Sequence, residues 1–340
     1  MTTLRRKLLL GAAGGTLLVA LVGGVWLARQ IDPPGPPGAT VSVPIEPGTS
    51  AAGIANRLEQ RGVLTSARVF RVYLKVRGEG SDFQAGEYEL QEHMAMGAVV
   101  HALKAGPKIR FYKLTVPEGL TLVDIADRVG KIPGRDRTKF LDAARSGAVR
   151  SRFQPSGVKT MEGLLFPDTY LVTEKEDEAA ILGRLRDRFD QVASDLNLGD
   201  RPLPAGMTPY QVIVAASLVE AEAKVPEDRP LIAAVIANRL RLGMKLQIDA
   251  TVLYALGEHK TRVLYSDLEV NSPYNTYKVD GLPPTPIAAP GKASLQAVLD
   301  PAKEDYLYYV LFDKNGKHAF ASTAAEFERL KAEAQRKGVL

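Results

Sequence analysis

The sequence predicts an α+β protein in three parts: an N-terminal transmembrane helix, a small α+β module and a larger mixed α+β domain that carries the chemistry. Three observations lead there. Residues 8–28 contain no charged side chain. Residues 41–130 alternate short β-type runs with short amphipathic helices. From residue 131 onward, longer helical patterns alternate with strand-like and loop-like stretches. At 340 residues the chain has room for about two domains.

Arg5, Arg6 and Lys7 precede LLLGAAGGTLLVALVGGVWLA, a run of 21 uncharged residues. Such a run is long enough to cross a bilayer as a helix. A cleaved signal peptide has an apolar core of only about 7–15 residues and a small-residue cleavage site, and VWLARQ offers no such site. Residues 1–30 are therefore read as a cytoplasmic tip and an uncleaved single-pass anchor. Basic residues stay on the cytoplasmic side, so the N-terminus faces the cytoplasm and the rest of the chain lies outside it. Trp26 falls where an indole suits the outer interface. Residues 31–40, with DPPGPPGAT at 32–40, cannot form a helix or a central strand and act as a stiff spacer.

The net charge is +5, but residues 1–32 account for +3 of it, which leaves the rest nearly balanced. A nucleic-acid partner would need a basic face on the folded part. The chain has no cysteine, which excludes disulfides, thiol nucleophiles and cysteine metal sites. His93, His101, His259 and His318 are scattered without an HExxH pattern, so neither a zinc site nor any other metal or cofactor is expected.

In the module, VSVPIEPGTSAAGIANRL (41–58) parallels YKLTVPEGLTLVDIADRV (112–129). Each reads as a strand, a Pro/Gly turn, a threonine N-cap (Thr49, Thr121) and a short amphipathic helix. FQAGEYEL (83–90) reads as a further strand. Such strand–helix units resemble LysM glycan-binding domains. A repeated scaffold without a ligand is the plain alternative.

In the domain 131–340, MEGLLFPDTYLV (161–172) reads as strand and turn around Pro167-Asp168. EKEDEAAILGRLRDRFDQV (174–192) repeats Ile181, Leu185 and Phe189 at helical spacing. Thr208 and Pro209 are an N-cap and N1 pair that opens another helix. Its body, VIVAASLV (212–219), is apolar all round and so buried on most sides. Glu220 follows on the face of Ile213, Ala216 and Ser217. Glu222 lies about 200° further round, so the two carboxylates cannot form a dyad on one face. An ordinary i, i+4 ion pair with Lys224 would account for Glu220, at about 0.3–0.5 kcal/mol. The functional reading is that the buried helix body keeps Glu220 protonated, as a general acid requires.

PEDRPLIAAVIANRLRLGM (226–244) reads as a second helix stopped by Gly243. KLQIDATVLYALG (245–257) follows. NSPYNTYKVDGLPPTPIAAPG (271–291) lacks regular periodicity, and loops of that length in compact domains are usually functional or disordered. Its Tyr274, Asn275, Thr276 and Tyr277 interleave rings with hydrogen-bonding groups, which suits sugar recognition.

The order SLVEAEA, ANRLRLGMKLQIDATVLYALG, YNTYKVDGLPPTPI, PG resembles the YceG-like family of endolytic murein transglycosylases. EGLLFPDTY and YLYYVLFDKNGKHAFAST (306–323) resemble it too, as does an anchor followed by a LysM-like module. The resemblance spans most of residues 40–325. Ala221 stands where the family usually has Lys or Arg, and Ala289 where it usually has Asn before Pro-Gly. EFERL (326–330) lacks the usual Glu-His pair.

The resemblance implies a membrane-anchored lyase of the bacterial inner (cytoplasmic) membrane, its catalytic domain on the periplasmic side. It would cut the MurNAc-GlcNAc β-1,4 bond within nascent glycan strands, leave 1,6-anhydro-MurNAc ends and so terminate elongation. Glu220 is the catalytic acid and base. Asn238, Gln247, Asp249, Tyr274, Asn275 and Tyr277 bind or orient substrate; Gln247 and Asp249 share a side if strand-like. Peptidoglycan strands are the partner, and peptidoglycan synthases are implied by the family alone. A non-catalytic glycan-binding adaptor and a hydrolytic muramidase using Glu220 with Asp249 are the alternatives.

Overall fold

The computed structural model describes residues 21–36, 38–80, 82–257 and 263–340. The chain divides into two compact units, Met1–Lys113 with Leu171–Lys175, and Leu114–Tyr170 with Glu176–Leu340. Most of the uncharged run 8–28 lies outside the described residues. Residues 21–31 are helical, and Ile31 packs on the first unit's core. No helix among the described residues is long and apolar enough to cross a membrane.

The first unit is built from β1 (Thr40–Ile45), α1 (Ala51–Gln60), α2 (Ala67–Arg77), β2 (Gly86–Gln91), α3 (Met96–Ala105) and β3 (Ile109–Thr115). β1 and β2 pair antiparallel, with Thr40 opposite Gln91 and Ile45 opposite Gly86. The sheet order is β1-β2-β3-β4, with β4 (Thr169–Thr173) supplied by the returning segment. Val43, Ile45, Leu58, Phe70, Tyr88 and Leu103 form its core. The expected cap at Thr49 moves one residue. Ser50 accepts from the Gly53 N–H, while the Thr49 hydroxyl turns back to donate to the Glu46 carbonyl. Thr121 is a cap as expected, in a reciprocal capping box with Asp124.

The second unit holds α4 (Leu122–Val129), α5 (Arg137–Ser146), α6 (Glu178–Asp195), α7 (Pro209–Glu222), α8 (Arg229–Arg241), α9 (Asp249–Leu256), α10 (Lys292–Leu299), the hairpin β5 (Tyr308–Leu311) and β6 (His318–Ala321), and α11 (Ala324–Arg336). The duplicated pattern is thus divided. α4, the helix of its second copy, packs with α5, and the compact boundary falls at Lys113 rather than at residue 130. Every residue from Val212 to Val219 is buried, because α7 packs against α8, α9 and α10. Each Val, Ile or Leu so buried contributes roughly 1.5–3 kcal/mol.

Residues 161–166 are not strand but a buried turn. Gly163 sits there at φ +71, and a Cβ would collide with the Pro286 ring and lie 3.1 Å from the Ala288 carbonyl oxygen. Gly163→Ala combines positive-φ strain with overpacking. It is expected to destabilise the protein by roughly 3 kcal/mol, read from the denaturant midpoint.

Candidate active site

α7 presents Glu220 at its C-terminal end. The capping box that starts the helix is reciprocal: the Gln211 N–H donates to Thr208 Oγ1 at 3.3 Å, and the Thr208 N–H to Gln211 Oε1 at 2.8 Å. The helix stops at Glu222, with Ala223 extended. Lys224 has therefore left the helical face, and the partner expected for Glu220 is replaced. Arg229 Nη2 from α8 lies 3.6 Å from Glu220 Oε1, and the Glu220 side chain is only 7% exposed. The Gly291 N–H donates to Glu220 Oε2 at 2.9 Å. The surround is thus apolar on the helix side and polar at the carboxylate itself.

The loop 271–291 delivers that glycine. Buried Ser217 on α7 donates to the Val214 carbonyl at 2.7 Å and accepts from the Ile287 N–H at 3.1 Å, which clamps the loop to the helix. Tyr274 and Thr285 bond through their hydroxyls at 2.7 Å. Ala289 exchanges backbone bonds with the turn after β3, Gly119 N–H to Ala289 O at 2.9 Å and Ala289 N–H to Leu120 O at 2.8 Å. That turn carries Glu118, whose carboxyl lies over Gly291. Glu118 is exposed as a residue, but the protein around its carboxyl end strips part of its solvent; this desolvation and the neighbouring Glu220 push the carboxyl up, with Arg229 opposing. Arg229 is held by its Nε donating to Ser294 Oγ on α10 at 3.2 Å.

The other face of the last turn of α7 holds a second group. Glu222 Oε2 accepts from Tyr309 OH at 3.2 Å. It is not a surface charge. It is half-buried, and this burial, with Asp249 beside it, pushes its carboxyl up to about 7. Asp249 is exposed and accepts from Tyr277 OH at 2.5 Å. Burial and Asp249 push the Tyr277 hydroxyl up. Gln247 is exposed at φ +52 and Asp249 opens α9, so the two are not related by a strand pleat. Gln247 Oε1 accepts from Arg239 Nη1 at 3.3 Å, which places it beside this group.

The structure thus brings Asp249 and Tyr277 to Glu222, ties Gln247 to Arg239, and sets Glu220 with Glu118, Arg229 and Gly291. Two expected cleft residues are used otherwise. The Asn238 amide donates to the Glu304 and Tyr306 carbonyls at 2.8 and 2.9 Å, inside the fold. Asn275 is fully buried and donates to the Leu268 and Val270 carbonyls, bracing its own loop. Tyr274 packs its ring 4.9 Å from that of Tyr254. Tyr254 in turn donates to buried Glu162 Oε2 at 3.0 Å. Glu118, Glu162, Arg229 and Tyr309 were missed from the sequence. All four stand inside the segments quoted above, but no local pattern separates them from surface polar residues.

The α+β frame thus sets a largely buried carboxylate at the end of an apolar helix, gripped by an arginine and a loop amide. The chain belongs to the YceG-like family, whose model matches residues 43–333. It is 35% identical over 310 residues to the endolytic murein transglycosylase of Bacillus subtilis, covering 86% of this chain and 84% of that one. It is 30% identical to the endolytic murein transglycosylase of Streptococcus pneumoniae R6, covering 86% of this chain and 58% of that longer protein. A crystal structure of a yceG-like protein from Listeria monocytogenes superposes with a TM-score of 0.57 at 34% identity, covering 86% of this chain and 99% of that one. On this kinship the chain is an enzyme of the lyase class.

Proposed function

We propose that this enzyme is an endolytic peptidoglycan lytic transglycosylase with Glu220 as its single acid and base. The observation that carries the reading is the placement of Glu220: its side chain is 7% exposed, and its two oxygens face Arg229 and the Gly291 N–H. The relatives are named endolytic murein transglycosylases, which supports murein as the substrate, and the bond cut in this reading is the MurNAc-GlcNAc β-1,4 bond within a glycan strand. Protonated Glu220 gives its proton to the leaving GlcNAc O4 as the C1–O4 bond breaks. The MurNAc C6 hydroxyl attacks C1 and passes its proton to Glu220, which is thereby restored. The product ends in 1,6-anhydro-MurNAc, and no water is consumed. Exposed Gln247 and Asp249, with Tyr277, line the neighbouring face as substrate contacts.

The first unit supports a glycan-binding role, since its β1-α1-α2-β2 order with β1 and β2 paired suits a LysM-like module. The uncharged run 8–28 supports a single-pass anchor in the bacterial cytoplasmic membrane, with the enzyme outside on nascent strands. Hydrolysis is the second reading, favoured by Glu118 as another carboxyl beside Glu220. Glycosidases that hydrolyse normally use two carboxylates.

Mass analysis of products from purified glycan strands tests the proposal. Anhydro ends are expected. Reducing ends would establish hydrolysis, and an absence of cleavage would leave a glycan-binding adaptor.

A further inference from the structure

Glu118 lays its carboxyl against Gly291, so that a Cβ on residue 291 would strike the Glu118 side chain. The N–H of the same glycine donates to Glu220 Oε2 at 2.9 Å. A Cβ on Gly119 would stand 4.0 Å from Glu220 Cγ, so the turn itself borders the acid. The two backbone bonds between this turn and Ala289 hold Glu118 in place. Glu118 is exposed while the Glu220 carboxyl is not.

The charges around Glu220 are unequal partners for an acid. Arg229 from α8 stands 3.6 Å away, and Gly291 is the N-cap of α10. A guanidinium and a helix N-terminus both suit a carboxylate rather than a carboxylic acid. Lys292, next along α10, is exposed, as is Lys224 beyond the end of α7. Glu222 and Asp249 are engaged with Tyr309 and Tyr277 on the other face. A general acid must keep its proton until the leaving oxygen takes it. Glu118 is the negative charge placed to oppose Arg229 at that point.

We infer that Glu118 is a positioning residue for Glu220: lying over Gly291 beside Arg229, it offsets the guanidinium and lets Glu220 hold the proton it delivers. This rests on the reading of Glu220 as the acid. Glu118 need not touch substrate for it. The upward push that Glu220 exerts on the Glu118 carboxyl accords with two acids sharing one cation.

Two variants test it by different routes. Glu118→Gln keeps the shape and removes the charge. Gly291→Ala evicts the carboxyl from its seat without removing it, and alanine readily adopts the φ of −75 found there. The turnover and KM of wild type and both variants are measured on purified glycan strands across the pH range, with Glu220→Gln alongside. In both variants KM is expected to stay nearly unchanged. The alkaline limb of the kcat profile is expected to move down by about one pH unit, a roughly tenfold loss of turnover on that limb.

An unmoved profile in Glu118→Gln, with Glu220→Gln inert, overturns this inference alone. So does a rise in KM with an unmoved profile, which would make Glu118 a substrate contact. Selective loss of reducing-end products would make it the base for water instead. A Glu220→Gln variant that cleaves normally overturns the acid assignment, and this inference with it.

Discussion

Glu220→Gln is expected to lower kcat on glycan strands by about 10²–10⁴-fold while leaving KM and folding nearly unchanged. The amide keeps the volume and can still accept the Gly291 N–H. It cannot donate a proton to the departing O4 or take one from the C6 hydroxyl. Glu222→Gln is expected to do much less, because Glu222 faces Tyr309 and Asp249 rather than Arg229 and the Gly291 N–H. Timed release of anhydro-ended fragments, quantified by mass, decides between the two glutamates. Cleavage at the normal rate by Glu220→Gln, or its loss in Glu222→Gln alone, would assign the acid to the wrong residue.

The second large effect is on stability and depends on pH. Glu162 is 4% exposed, accepts from the Leu122 N–H at 2.9 Å and is bonded by Tyr254 OH. Burial pushes its carboxyl up from 4.5 to about 7, against those hydrogen bonds, with Asp124 adding slightly. Its folded pKa therefore lies above its unfolded one. Its contribution to stability is fully present below about pH 4.5 and is lost as the pH rises through about 7. Glu162→Gln mimics the protonated form and cannot ionise. It should match wild type near pH 4 and exceed it by up to about 3 kcal/mol near pH 8, judged by denaturant midpoints. A stability difference that is the same at both pH values would show that Glu162 does not titrate on folding. Glu222, raised in the same sense, adds to the wild-type loss over the same window.

Much of the second unit was legible in residue order because its signals are local. Thr208, Pro209 and Gln211 set the start of α7 through a capping box, which needs only residues three apart. The apolar run Val212–Val219 predicted a helix buried on most sides, and each of these residues is buried. The rotation of 100° per residue separated Glu220 from Glu222, and the structure sends them to different neighbours. α6 runs through the predicted Ile181, Leu185 and Phe189, capped by Asp177.

Other features depend on contacts that no spacing encodes. The pair Glu220–Lys224 fails because α7 ends two residues before Lys224. Gln247 and Asp249 lose their strand relation to a left-handed residue and a helix start. Asn238 and Asn275 look like recognition groups in the sequence, but buried amides must find partners, and theirs are backbone carbonyls of the fold.

By itself, then, the sequence determined several of the helices, the buried body of α7 and the face on which Glu220 follows it, because propensity, capping and periodicity act over a few residues. The tertiary structure alone decided what that glutamate meets. Arg229, Gly291 and Glu118 come from three separate elements, and only chain closure brings a guanidinium, a loop N–H and a second carboxyl to one acid.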